Sequence, residues 1–121
     1  MEKVLITGGA GYLGSVLTET LLAAGYKVTV LDSLVYKQMS LTTFCHNPNF
    51  EFVLGDVRDY NLLAKLVQTH DIIIPLAAIV GMPACKKDRD LTVAVNYQQI
   101  KNIIDVLQPS QNLLEIGRAH V

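Results

Sequence analysis

Val4-Leu5-Ile6-Thr7-Gly8-Gly9-Ala10-Gly11-Tyr12-Leu13-Gly14, followed by an apolar periodic stretch from Ser15 to Ala24, decides the fold. A short apolar, β-branched run leads into glycines at every third position, Gly8, Gly11 and Gly14. A helical pattern then begins. Strand, tight turn and helix N-terminus stand in the order that a dinucleotide pyrophosphate needs. The turn must bend sharply and bring bare backbone close to a phosphate, and a Cβ would block both. The following helix aims unsatisfied N–H groups and the positive end of its dipole at the anion.

Glycine-rich turns are common, so the flanking context matters. Asp32 stands about twenty residues further on, at the end of a second strand over Lys27 to Leu31. A carboxylate there accepts hydrogen bonds from the adenosine ribose and repels a 2′-phosphate, which favours NAD over NADP. No Arg or Lys directly follows Asp32 to reverse that preference. The bland reading, a tight β–α turn that binds nothing, leaves the acidic residue unexplained.

The bulk composition agrees. The chain has 121 residues, about one small domain, and half of them are hydrophobic (50%). Mean hydropathy is +0.32, as expected for a parallel sheet covered on both faces, whose strands read as continuous apolar runs. Net charge is −1, and no basic stripe offers a surface to nucleic acid or an anionic membrane. The opening Met1-Glu2-Lys3 leads into a strand rather than a secretory h-region. The apolar stretch from Ile72 to Cys85 is broken by Pro75, Gly81 and Pro83, too short and interrupted to span a bilayer. Cys45 and Cys85 lie far apart without metal-ligand spacing, so reduced thiols in a cytoplasmic protein are expected.

Periodicity and turn signals divide the chain. Strands are expected at Lys3–Thr7, Lys27–Leu31, Phe50–Leu54 and Asp71–Pro75, with a fifth starting at Asn112–Ile116. Helices are expected at Tyr12–Ala24 with Gly25 as C-cap, at Tyr60–Thr69 opened by Asp59, and at about Asp90–Leu107. The connection from Ser33 to Asn49 has room for a helical turn near Leu41–Cys45 and closes on an Asn47-Pro48-Asn49 turn; a loop runs from Val80 to Lys87. This alternation implies an α/β fold, a doubly wound parallel sheet of Rossmann type truncated at about strand five, with strand order 3-2-1-4-5. Ligands of such sheets lie across the carboxyl ends of the strands, so Gly55-Asp56-Val57 and Leu76-Ala77-Ala78 join the glycines and Asp32 on one crevice rim.

The chain resembles the amino-terminal part of an extended short-chain dehydrogenase/reductase, in the NAD-dependent epimerase/dehydratase family that acts on nucleotide sugars. The matching pieces are Thr7 to Gly14, Asp32-Ser33-Leu34, Gly55-Asp56-Val57-Arg58-Asp59, Leu76-Ala77-Ala78 and Asn96, in order and over nearly the whole chain. The resemblance implies that the amides of Tyr12 and Leu13 hold the pyrophosphate and that Asp56 meets the adenine amino group, with the Val57 backbone beside the ring. It also implies that Leu76-Ala77-Ala78 passes the nicotinamide-side ribose, and that Asn96 supports the active-site end of the sheet. Pro75 departs from the pattern, because many relatives carry His there, and a proline removes a backbone donor.

The residues alone leave blander readings open. Asp56 can be an Asx-turn residue, Asn96 a helix-surface residue, and Leu76-Ala77-Ala78 plain core. His46 and His70 have no partner pattern and are expected to be structural or solvent-facing.

The family's catalytic Tyr-x-x-x-Lys pair follows strand five. The literal match Tyr97-Gln98-Gln99-Ile100-Lys101 precedes strand five, so it is not assigned as catalytic, and no catalytic residue is named. No metal ligand set is assigned. Glu115 to Val121 reads as the translation of the sequencing adapter GAGATCGGAAGAGCACACGTC. Residues 1–115 are therefore read as an incomplete NAD-binding domain and 116–121 as a non-native tail.

The expected function is the NAD-binding part of a nucleotide-sugar epimerase or dehydratase, inactive by itself and from a parent that forms homodimers. A non-catalytic dinucleotide-binding sensor or scaffold remains the alternative from another class. Reduction of a non-sugar carbonyl is a third, disfavoured by Asp32 because such relatives often use NADP.

Overall fold

The computed structural model describes residues 2–8, 12–32, 46–76 and 98–114, with Tyr12 and Leu13 described in backbone only. The chain runs β1 (Lys3–Thr7), α1 (Tyr12–Ala23), β2 (Lys27–Asp32), β3 (Phe50–Leu54), α2 (Tyr60–Gln68), β4 (Ile72–Pro75), α3 (residues 98–106) and β5 (Asn112–Leu113). The strands form a five-stranded sheet in the order β3-β2-β1-β4-β5. Every pairing is parallel. This is the doubly wound arrangement expected from the alternation of elements, with β1 at its centre.

The central strands β1, β2 and β4 bury both faces, whereas the edge strands β3 and β5 are only partly covered. Val4 and Ile6 of β1 join Val28, Val30 and Ile74 in one core layer, which α1 covers with Leu17, Leu21 and Leu22. Leu5 faces the other way, into a layer with Leu31, Ile73, Leu63 and Val67 of α2, and Ile103 of α3. The stripe Leu62, Leu63, Leu66 and Val67 read from the sequence is the packing face of α2.

The helix ends follow local chemistry. α1 closes in a Schellman pattern, with Tyr26 N–H donating to Leu21 O at 3.1 Å and Gly25 N–H to Leu22 O at 3.1 Å. Gly25 sits at φ 96°, where a side chain would be strained. α2 starts on Asp59, whose carboxylate accepts from the Leu62 amide at 3.2 Å. The Asn47-Pro48-Asn49 turn forms as expected, with Asn49 N–H donating to the Asn47 side chain at 2.9 Å.

Most boundaries move by a residue, but β5, expected over Asn112–Ile116, ends at Leu113, with Leu114 outside it and Glu115 and Ile116 beyond the described residues. β2 extends to Asp32, and β4 starts at Ile72 because Asp71 bonds across the sheet entrance, its carboxylate accepting from Lys3 N–H at 2.9 Å. The expected turn near Leu41–Cys45, the loop at Val80–Lys87, the first part of the third helix, both cysteines and the tail at 116–121 lie outside the described residues.

Candidate functional site: the carboxyl edge of the sheet

Register places the site residues. Thr7 is opposite Leu31 and Pro75, and Asp32 is opposite Leu54. One step beyond Thr7, Gly8 is therefore level with Asp32 on one side and Leu76 on the other. Adjacent strands lie about 4.8 Å apart, so Leu54, Asp32, Gly8 and Leu76 form a single row across the sheet. Three backbone bonds lace this row. Gly55 N–H donates to Asp32 O at 3.1 Å, Gly8 N–H to Leu31 O at 2.7 Å, and Leu76 N–H to Thr7 O at 2.7 Å.

Gly8 has φ 77°, the left-handed conformation that turns the chain out of β1 toward α1. Tyr12 and Leu13 open α1, so their amides belong to the first turn, which has no intrahelical acceptor. Gly14 is buried beneath that turn, and its carbonyl accepts from the Thr18 hydroxyl at 2.7 Å. Gly11, Ala77, Ala78 and Asn96 lie outside the described residues, as does Tyr97.

Beyond β3 the chain tightens around Asp56. Its Oδ1 accepts from the Arg58 amide at 2.8 Å, closing an Asx turn. The Arg58 guanidinium grips the same carboxylate: Nε lies 3.1 Å from Oδ1 and 3.0 Å from Oδ2, and Nη2 lies 2.6 Å from Oδ2. These bonds hold the Asp56 carboxyl below the usual carboxylate range, the side-chain bonds from Arg58 foremost. Val57 packs partly into the α2 layer, which fixes the turn from below. Gly55 serves a steric purpose that the sequence reading did not assign. A Cβ there would stand 2.5 Å from Leu62 Cδ2 and 3.1 Å from Leu31 Cδ1, so its bareness lets α2 seat against β2.

The floor of the row is Thr7, fully buried, whose hydroxyl donates to the Gln99 side-chain oxygen on α3. Gln99 is itself buried and shares a helix stripe with Ile103. A polar residue on an otherwise buried stripe is the signal that could have found it. Lys101 is exposed on the same helix, which precedes β5 as the sequence reading expected.

Pro75 costs the centre of the sheet nothing. Successive N–H groups point to opposite sides of a strand, and Leu76 N–H points to β1. The missing donor at Pro75 therefore faces β5.

The amino edge is built differently. A cavity of about 270 Å³ opens there, lined by Lys3, Lys27, Thr29, Glu51 and His70 among others. It lies at the opposite end of the strands from the glycine turn. His70 is buried with both ring nitrogens engaged: Nδ1 donates to Leu66 O at 2.7 Å, and Nε2 accepts from the Thr29 hydroxyl at 2.8 Å. Burial pushes its pKa below the ordinary histidine value, against the pull of the Leu66 carbonyl. His70 is thus structural, and His46 is exposed. Among the described residues, no group of three or more His, Cys, Asp or Glu side chains could hold a metal ion. None of their helices is long and apolar enough to cross a membrane.

Sheet order and rim define a doubly wound, Rossmann-type α/β domain. The profile of the NAD dependent epimerase/dehydratase family matches residues 4–117, and the chain belongs to that family.

A UDP-N-acetyl-alpha-D-glucosaminuronate decarboxylase of Bacillus cytotoxicus is 33% identical over 103 residues, covering 85% of this chain and 32% of that protein. A UDP-glucose 4-epimerase of Lacticaseibacillus casei is 37% identical over 87 residues, covering 70% and 25%. Among solved structures, DesIV, a dTDP-glucose 4,6-dehydratase from Streptomyces venezuelae with NAD and TYD bound, superposes with a TM-score of 0.75 at 32% identity, covering 86% of this chain and 35% of that one. The chain spans about a third or less of the length of these relatives.

Proposed function

We propose that this chain is the NAD-binding amino-terminal portion of a nucleotide-sugar epimerase or dehydratase. The row formed by Asp32, Gly8 and Leu76, with Asp56 just beyond it, carries this reading. It supplies a bare turn and a helix N-terminus for a pyrophosphate and a carboxylate one strand away for a ribose. An acceptor for an adenine amino group stands one strand further. Gly8, Gly11, Tyr12, Leu13 and Gly14 would hold the pyrophosphate, Asp32 the ribose hydroxyls, and Asp56 and Val57 the adenine. Leu76, Ala77 and Ala78 would line the nicotinamide side, and Asn96 would support the active-site end of the sheet.

NAD, when bound, supplies a hydride acceptor for a sugar carbon. The residues of this chain bind and orient it, and we assign none of them a proton-transfer step. The relatives include a decarboxylase, an epimerase and a dehydratase by name. That spread supports a shared cofactor portion whose reaction outcome is decided elsewhere. We propose that the chain alone turns over no UDP- or dTDP-sugar, and that its parent is a cytoplasmic homodimer.

Calorimetric titration with NAD and NADP tests the assignment. NAD should bind more tightly, and Asp32→Ala should erase about 10–100-fold of that preference, the scale of charged hydrogen bonds. Tighter NADP binding by the unaltered chain would overturn the role given to Asp32.

A further inference from the structure

We propose that Arg58 is a built-in competitor for the base end of the cofactor, occupying the acceptor sites of Asp56 until an amino-bearing base displaces it. The proposal rests on the reading of Asp56 as the acceptor for the adenine amino group.

A carboxylate offers about four lone-pair positions. In Asp56 three N–H groups of Arg58 engage both oxygens: the amide reaches Oδ1 at 2.8 Å, Nη2 reaches Oδ2 at 2.6 Å, and the single Nε hydrogen is shared between Oδ1 at 3.1 Å and Oδ2 at 3.0 Å. An incoming amino group that approaches the face covered by the guanidinium competes with these donors.

The Arg58 amide cannot leave without opening the Asx turn that aims the carboxylate. The guanidinium can leave. Its side chain is 63% exposed, it is the partner of a surface ion pair, and water can solvate it on release. It also stands just ahead of α2, whose positive dipole end disfavours a cation there. Exchange is therefore cheap for a donor of the right shape.

The exchange also discriminates. Adenine presents an amino group, which suits a carboxylate. Hypoxanthine presents a carbonyl at the same position, which a carboxylate repels and an arginine welcomes. Arg58 thus lowers affinity for the adenine dinucleotide while it holds the empty turn in shape, and its removal affects the two bases in different ways.

The test titrates the full chain with NAD and with nicotinamide hypoxanthine dinucleotide, comparing wild type, Arg58→Ala and Arg58→Gln. Both variants keep the backbone donor of the Asx turn. The expected result is NAD binding about threefold tighter in both variants, the scale of an exposed ion pair, with no tightening for the hypoxanthine analogue. In nitrogen-15-labelled wild-type protein, the Arg58 Nε–H resonance should move toward its solvated position on NAD addition and stay in place with the analogue. Weaker or unchanged NAD binding in the variants, or an Arg58 resonance unmoved by NAD, overturns the proposal. Failure of the wild-type chain to bind NAD at all would instead overturn the functional reading beneath it.

Discussion

The two ends of the sheet share a backbone ladder and differ in the side chains that tie the strands to their neighbours. At the carboxyl edge, β3, β2, β1 and β4 are laced by backbone bonds at Gly55–Asp32, Gly8–Leu31 and Leu76–Thr7. At the amino edge the backbone also joins the strands, with Lys27 N–H donating to Glu2 O at 3.1 Å, Val28 N–H to Asn49 O at 2.8 Å and Asp71 N–H to Lys3 O at 2.8 Å, and side chains reinforce them. Gln111 Nε2 donates to Val67 O and His70 O, at 2.5 Å each, and Gln111 Oε1 accepts from Gln108 N–H at 2.7 Å. His70 ties the end of α2 to Thr29, and Asp71 ties β4 to Lys3. The side chains that cross between elements at the amino edge contribute to stability, whereas the carboxyl rim carries the residues proposed to meet a cofactor. Substitutions at the first edge should alter binding, and those at the second should alter folding.

The strongest break expected is Gly8→Val. A β-branched residue at φ 77° costs about 2 kcal/mol and puts a side chain where the proposed pyrophosphate would approach the turn. Calorimetry should show NAD binding lost, with a measurable fall in the denaturant midpoint. Gln111→Ala should do the reverse. It removes the Gln111 donor from the His70 carbonyl and one of the bonds to the Val67 carbonyl, which keeps His70 N–H at 3.3 Å, so urea unfolding should register a loss of about 1 kcal/mol with NAD affinity per folded molecule unchanged. Gly55→Ala should fall between the two classes. Leu62 and Leu31 must shift to admit the methyl group, for about 1 kcal/mol of stability, and the adjoining Asp56 turn should lose some affinity with it.

The smallest effect belongs to His70. Its folded pKa is depressed by burial, so its contribution is complete above the unfolded value near 6.5 and is lost as pH falls from there through the folded value. Lys3, Lys27, Glu51 and Asp71 surround it and shape that slope. Unfolding at pH 7.5 and 5.5 should show the acid sample to be the weaker, and His70→Asn should shrink the difference. An unchanged difference in the variant would assign the slope to other groups.

These contrasts also explain what could be read in advance. The glycine turn and the strand order were legible because they depend on local spacing and on handedness. Gly8 must be bare and Asp32 must end its strand wherever the remaining side chains go. The role of Gly55 was hidden, because it depends on where Leu62 comes to rest, a matter of packing between elements. The grip of Arg58 on Asp56 depends on rotamers across a turn and leaves no periodic trace. Gln111 reaches partners more than forty residues away, and nothing nearby in the sequence marks it. The Asx reading of Asp56 describes the turn that forms, and the role proposed for it as a base acceptor is compatible with that turn, which orients the carboxylate.

The shared level of Leu54, Asp32, Gly8 and Leu76 ties the proposed cofactor preference to strand register. A slip of β2 by one residue against β1 would carry Asp32 about 3.3 Å along the strand and turn its carboxylate to the opposite face of the sheet. The carboxylate would then be withdrawn from the position proposed for the ribose although no residue had been substituted. An insertion or deletion between Gly25 and Asp32 is accordingly a more direct route to altered dinucleotide preference than point changes along the rim.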